Sequence, residues 1–161
     1  MPPRAVPAST DSRRWRLGCT LLSRPPCIRS SRPIEAKTLA ALTAKLVDAK
    51  KAEDIQVIDV SERLRVADYF VVATGANRAH VRALYDELHV RLKELGERHK
   101  PVEGADLGWW IVLDYADVVV HLFQNDAREF YDLDHLYGDC PRLEWSSVET
   151  PDLPPLPTAE V

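Results

Sequence analysis

The chain lacks the cysteine patterns that stabilise small secreted domains or bind structural zinc. Its three cysteines, Cys19, Cys27 and Cys140, include no C-x-x-C pair. An odd number of scattered cysteines excludes a complete disulfide framework and a zinc-ribbon type of site. A reducing compartment therefore fits the sequence best.

Long apolar runs are also absent. The stretch from Leu17 to Leu22 is far shorter than the roughly 18 residues that a membrane-spanning helix requires, and polar residues flank it. We therefore expect no membrane among the partners of this protein.

Glycine is scarce, with six residues in 161, and the motifs of nucleotide enzymes are missing. The segment "ATGANRAH" (73–80) contains one glycine, and the chain has neither G-x-x-x-x-G-K-[ST] nor G-x-G-x-x-G. It also has no G-x-S-x-G and no cysteine close to a histidine. The segment thus predicts a strand-to-helix turn, with phosphate binding as the alternative, and the chain offers no set of catalytic residues.

Basic residues are few outside the first 33 positions. Residues 1–33 carry seven arginines and one acid, which leaves 14 basic and 24 acidic residues for the rest of the chain. The first segment is expected to be a disordered basic extension or an organelle targeting peptide. The acidic remainder disfavours direct nucleic-acid binding and favours a basic protein partner.

Hydrophobic periodicity predicts one α/β (α+β) domain over residues 34–146, followed by a disordered Pro-rich tail, 147–161. A helix after Pro33, a strand at 55–60 and a strand at 69–74 come first. Asn77 is expected to cap a long helix that stops at Gly96. A short edge strand at 100–102, a hairpin and a last helix that buries Phe130, Leu133 and Leu136 complete a mixed sheet with helices mainly on one face.

The hairpin is "WWIVLDYADVVVHLFQ" (109–124), a run rich in β-formers. A two-residue turn at Tyr115 and Ala116 would pair Asp114 with Asp117 and would pair Trp110 with His121. One face then holds only apolar and indole groups and is expected to be core; its members are Trp109, Ile111, Leu113, Val118, Val120 and Leu122. The other face mixes aromatic, aliphatic and charged groups.

This mixed face is the strongest candidate for a functional surface. Apolar anchors among a few charges suit a protein interface, and unpaired carboxylates would be costly to bury. Three alternatives remain open: Asp114 and Asp117 hold a divalent metal, the two aspartates form a solvated turn, or the protein's own helix or tail covers the face.

Three stretches occur in a recognisable order: "ADYFVVATGANRAHVRAL" (67–84), "WIVLDYADVVVHLF" (110–123) and "REFYDLDHLYGD" (128–139). Together they resemble the ribosomal silencing factor family, also called Iojap-like, over about residues 36–145. The resemblance implies a nucleotidyltransferase-like topology without enzymatic activity, cofactor or metal. It also implies binding to the large ribosomal subunit at ribosomal protein L-fourteen, which blocks the small subunit and represses translation when nutrients are scarce.

Position in these motifs also implies the interface residues. The expected contacts are Trp110, Val112, Asp114, Asp117, Val119, His121 and Phe123, with Tyr69 and Thr74 as further candidates. L-fourteen is small and basic, so the acidic domain suits it without direct contact to nucleic acid. A homodimer and a cytoplasmic location are compatible with this role, with mitochondrion or chloroplast as the alternative if residues 1–33 are a transit peptide.

One departure from the family pattern bears on the hairpin. The family usually reads D-Y-G-D at the turn, where this chain has Ala116. A left-handed backbone at alanine costs about 1 kcal/mol, and it would change the turn type and the strand pairing. The alternative function is a metal-dependent nucleotide-binding enzyme of the same fold, which would use the Gly75 turn and the two turn aspartates.

Overall fold

The computed structural model describes residues 34–153, so the predicted basic extension, 1–33, and the last part of the predicted tail, 154–161, lie outside the described residues. The elements are α1 (Ala36–Ala49), β1 (Glu53–Asp59), β2 (Tyr69–Gly75), α2 (Arg78–Glu94), β3 (Trp110–Asp114), β4 (Val118–Gln124), α3 (Asn125–Tyr131), α4 (Leu133–Leu136) and a 3-10 turn at Trp145–Ser147. None of the helices in this part of the chain has both the length and the apolar character needed to cross a bilayer.

The four strands form one mixed sheet in the order β1-β2-β4-β3. β1 runs antiparallel to β2, β4 runs antiparallel to β3, and the central strands β2 and β4 are parallel. Parallel neighbours cannot be joined by a tight turn and need a crossover connection, which here contains α2 and β3. The predicted α+β class with a mixed sheet is confirmed.

The crossover helix α2 begins and ends at the predicted residues. The side chain of Asn77 accepts a hydrogen bond from His80 N at 2.9 Å, which satisfies one of the free amides of the first turn. Gly96 has a φ of 83°, and its amide and that of Glu97 bond back to the carbonyls of Lys93 and Leu92. This is a Schellman ending, in which glycine supplies the left-handed residue.

The main core lies between one face of the sheet and the two long helices. The apolar stripes of α1 and α2 bury Leu39, Leu42, Leu84 and Leu88 against alternate strand residues, which include Val71, Ile111, Leu113, Val120 and Leu122. The predicted packing of helices mainly on one face is therefore confirmed. Ile111, Leu113, Val118, Val120 and Leu122 all lie in this core, as the hairpin pattern predicts.

A smaller apolar cluster covers part of the opposite face. Ile58, Phe70, Val72 and Phe123 are buried there, beneath Ala127 of α3 and the segment that follows it. Because α3 and α4 span only seven and four residues, they cover the sheet incompletely. This second face therefore combines buried and accessible parts.

The hairpin register differs from the predicted one by two residues. Trp110 pairs with Phe123 and Asp114 pairs with Val119, so the turn residues are Ala116 and Asp117. Ala116 adopts a φ of 68°, the left-handed conformation that glycine accepts at little cost. Since side chains alternate with a period of two, the shift leaves every strand residue on its predicted face.

The segments before and after the hairpin also depart from prediction. In place of an edge strand at 100–102, a single bridge joins Glu103 to Val112. The last helix breaks at Asp132, whose φ is 42°, and Phe130 and Leu136 are exposed instead of buried. The N-cap of this helix is Gln124, whose side chain makes no capping hydrogen bond.

The first part of the predicted tail contacts the domain. Lys45 Nζ donates a hydrogen bond to Val148 O at 2.6 Å, and Leu153 packs against the main core. Val148 therefore lies beside α1, and Leu153 lies beside the main core.

We predict that Ala116→Gly raises the free energy of unfolding by about 0.5 to 1 kcal/mol, because glycine relieves the left-handed strain at this turn. Urea unfolding of the full chain measures the change. Ala105→Gly is the matched control, since Ala105 lies in a loop without a positive φ and gains no relief. Equal effects of the two substitutions would show that the turn is not strained.

Candidate functional site

The candidate site is the second face of the β3–β4 hairpin, hereafter the hairpin face. Strand alternation places Trp110, Val112, Asp114, Val119, His121 and Phe123 on this face, with Trp110 beside Phe123 and Val112 beside His121. The neighbouring strand β2 adds Phe70, Val72 and Thr74 in register. The face is thus a continuous surface of three strands.

Part of the predicted site is accessible. Trp110, Val112, Asp114, Asp117 and Val119 are all half-buried. They cover the hairpin from its first paired residue to its turn. A partner can therefore contact these five side chains without a rearrangement of the domain.

Four predicted contact residues lie elsewhere. Thr74, His121 and Phe123 are buried, because α3 packs over β4 and β2. Tyr69 belongs to the other set of alternating residues on β2 and packs against the main core. The expectation that the whole mixed face is open is therefore wrong for the three buried residues, which support the surface from below.

The carboxylate of Asp114 holds the hairpin turn. Its Oδ1 accepts a hydrogen bond from Ala116 N at 2.7 Å, and its Oδ2 lies 2.7 Å from Lys100 Nζ. With Asp114 opposite Val119, it does not face Asp117 across the ladder as the predicted metal site requires. Among residues 34–153, no group of three or more potential ligands is placed to hold a metal ion.

His121 is an uncharged support beneath Trp110. The indole Nε1 of Trp110 donates to His121 Nδ1 at 3.3 Å. An indole nitrogen only donates, so the imidazole proton lies on Nε2. Burial lowers the pKa of His121 to about 4, because the apolar surroundings disfavour the imidazolium ion.

Sequence reasoning missed a group of exposed aromatic side chains, hereafter the aromatic shelf: Trp109, Phe130 and Tyr131. Their exposed fractions are 39%, 73% and 40%. The ring of Trp109 lies 6.2 Å from Phe130 and 6.0 Å from Tyr131, and Tyr131 lies 4.5 Å from Trp110 of the hairpin face. The shelf therefore extends the hairpin face.

The shelf contradicts two predictions, that Trp109 lies in the core and that the last helix buries Phe130. Both differences have a geometric reason. Trp109 precedes the first residue of β3, so strand alternation does not hold its side chain over the core. Phe130 and Tyr131 are neighbours on a helix, where successive side chains point about 100° apart. Because the two residues are adjacent in the sequence, a helix with one narrow buried stripe cannot bury both of them.

The short helix that carries Phe130 and Tyr131 is acidic on its exposed side. The exposed charged residues of α3 are Asp126 and Glu129, and Asp132 follows at the break before α4. Arg128, the one basic residue of α3, is buried. Exposed aromatic rings bordered by carboxylates suit a partner with apolar pockets and basic groups.

Comparisons with known proteins agree on one family. Residues 33–159 match the family described as "Ribosomal silencing factor during starvation". A ribosomal silencing factor from Bacillus subtilis (strain 168) is 38% identical over 105 residues, which cover 65% of this chain and 89% of that protein.

Two further matches extend this result. A Mus musculus protein named "Mitochondrial assembly of ribosomal large subunit protein 1" is 34% identical over 107 residues, 65% of this chain and 47% of its own. A crystal structure of a Chromobacterium violaceum protein aligns with a TM-score of 0.63 at 32% identity, over 65% of this chain and 88% of that one.

We predict that the neutral state of His121 makes stability depend on pH. Unfolded histidine has an ordinary pKa of 6.5 and the folded side chain one of about 4, so the unfolded state binds more protons as the pH falls between these values. The free energy of unfolding should therefore drop over this range, by at most about 3 kcal/mol.

Urea unfolding at about pH 7 and about pH 4.5 tests this dependence. His121→Phe should lose a large part of the slope, whereas His135→Gln, which changes an exposed histidine, should keep the wild-type slope. The same slope in the His121→Phe chain would contradict the assignment.

Proposed function

The chain belongs to the ribosomal silencing factor family, and from this membership we propose that it binds the large ribosomal subunit through ribosomal protein L-fourteen. The bound protein blocks association with the small subunit and represses translation when nutrients are scarce. The names of its relatives already support a regulatory role at the ribosome.

The observation that carries the proposal is the aromatic shelf beside the half-buried hairpin face. Interfaces obtain most of their binding energy from a few aromatic anchors, while charges set the orientation and rate of association. Trp109 and Phe130 supply such anchors, Asp126 and Glu129 supply negative charge beside them, and Asp117 supplies it at the hairpin turn. A small basic protein is the partner that this combination fits.

The proposed action is steric. It requires a surface large enough to bind one subunit and to keep the other away, and it needs no cofactor, membrane or chemical step. The excess of acidic residues in the domain disfavours close approach to phosphate backbones, so contact with a ribosomal protein is favoured over contact with ribosomal RNA.

We place this action in the cytoplasm, with an organelle as the alternative. The name of the mouse relative includes the word "Mitochondrial", and residues 1–33 have the arginine-rich, acid-poor composition of a targeting segment. A fluorescent fusion of residues 1–33 separates these cases. A diffuse signal supports the cytoplasm, and accumulation in an organelle excludes it.

Co-sedimentation with purified large subunits tests the proposal directly. The full chain should migrate with large subunits, should bind isolated L-fourteen, and should lower the fraction of particles formed when small subunits are added. Failure to bind either the subunit or L-fourteen would overturn it. A sizing column run on the free chain shows whether it forms a homodimer.

We predict that Trp109→Ala weakens binding to large subunits by about tenfold or more, the loss expected for an aromatic anchor at an interface. Trp109 lies outside the strand and is more than one-third exposed, so the free energy of unfolding should change little. Equilibrium co-sedimentation and urea unfolding give the two values. A binding constant equal to that of the wild type would remove the shelf from the interface.

We predict that Asp117→Lys slows association and reduces the dependence of binding on salt, because a carboxylate near a basic partner steers the encounter. Asp86→Lys is the matched control: it makes the same charge change on an exposed residue of α2, whose helix packs on the other sheet face. The same effect from both variants would indicate attraction by net charge instead of a local contact.

A further inference from the structure

Arg128 lies at the junction of three segments on the second face of the sheet. Its side chain is only 7% exposed. The guanidinium contacts Asp134 in α4, Thr74 at the end of β2 and Asp54 in β1. We call these four residues the arginine clamp.

The geometry of the clamp uses the whole guanidinium group. Nε and one terminal nitrogen bond the two carboxylate oxygens of Asp134 at 2.9 and 3.2 Å. The other terminal nitrogen donates to Thr74 Oγ1 at 2.7 Å and to the backbone carbonyl of Asp54, and the Asp54 carboxylate lies 3.2 Å from Arg128. A buried cation is tolerated only with such complete pairing.

The clamp holds both ends of the segment that carries the shelf. Phe130 and Tyr131 lie between Arg128 and Asp134 in the chain, and Asp132 turns the backbone between α3 and α4 with a φ of 42°. Helices of seven and four residues are not stable by themselves. Their position on the sheet must therefore come from tertiary contacts. The clamp supplies the buried polar contacts, and Arg142 adds a more exposed one to Asp134.

We propose that Arg128 is a positioning residue for partner binding: it fixes Phe130 and Tyr131 against Trp109 and so presents the aromatic shelf. This inference rests on the proposed function. It also assigns a role to Thr74. Its hydroxyl group orients Arg128, and the side chain does not itself contact the ribosomal protein. Groups that contact a partner act at full strength only when the layer behind them holds them in place.

The test replaces Arg128 by Lys in the full chain and measures binding to purified large subunits. Lysine keeps the charge and loses the forked geometry, so the dissociation constant should rise by about tenfold or more. The salt dependence of binding should stay the same, because the exposed charges do not change. Binding stoichiometry should also stay at the wild-type value, at a temperature well below the unfolding midpoint.

Stoichiometry separates positioning from a merely structural role. A general loss of stability lowers the fraction of chains that can bind and leaves the dissociation constant of the folded fraction unchanged. Arg91→Lys is the matched control, because Arg91 is equally buried and paired with Glu87 but lies on α2 over the main core. Arg91→Lys should keep the wild-type dissociation constant.

Thr74 provides a second, gentler test. Thr74→Val keeps the shape of the side chain and removes the acceptor for Arg128, so it should raise the dissociation constant less than Arg128→Lys does. Thr74→Ser restores the hydroxyl group and should restore binding. If the Arg128→Lys chain does not fold, these two Thr74 variants test whether the clamp positions the shelf.

Three results would overturn the inference. Wild-type affinity of a folded Arg128→Lys or Thr74→Val chain would show that the clamp does not position the shelf. If Arg91→Lys weakened binding as much as Arg128→Lys, the loss of affinity would be due to general stability and not to positioning of the shelf. Absence of binding by the wild-type chain would overturn the proposed function itself, and the two failures are thus distinguishable.

Discussion

The parallel ladder between β2 and β4 determines which face of the sheet remains accessible. Since parallel strands require a crossover, the chain between them must pass over one side of the sheet. α2 does so on the face that α1 also covers, and both long helices are used there. Among residues 34–153, the other face receives the short helices after β4 and parts of the neighbouring loops, which leave the aromatic shelf and part of the hairpin face in contact with solvent.

The long elements could be predicted from the sequence because several local signals agree on them. Asn77 and Gly96 mark the two ends of α2, and the apolar run of β2 has no competing helical period. The hairpin register could not be predicted, because Ala116 sits in a left-handed conformation that its side chain disfavours. The residues of β3 and β4 nevertheless lie on their predicted faces, since an error of two residues preserves strand alternation, whereas Trp109, which precedes β3, does not.

The sequence predicts which residues share the candidate face, but it does not predict which of them a later helix buries. Alternation identifies Trp110 and Asp114 as members of the mixed face, but it cannot tell how much of that face a later segment covers. Phe123 is buried because α3 packs over β4 and β2, whereas Phe130 lies on the exposed side of the same helix. Residues 54 and 74 are far from residues 128 and 134 in the sequence, and the four come together only in the folded chain. No local sequence pattern predicts contacts among them.

The arginine clamp also has a consequence for the order in which the molecule is completed. Protein synthesis releases the chain from its amino-terminal end, and the partners of Arg128 are spread from Asp54 in β1 to Asp134 in α4. A nascent chain that ends before α4 has the sheet strands but lacks the carboxylate that fixes the last two helices. The surface proposed to act on ribosomes is thus held in place only after α4 has been synthesised.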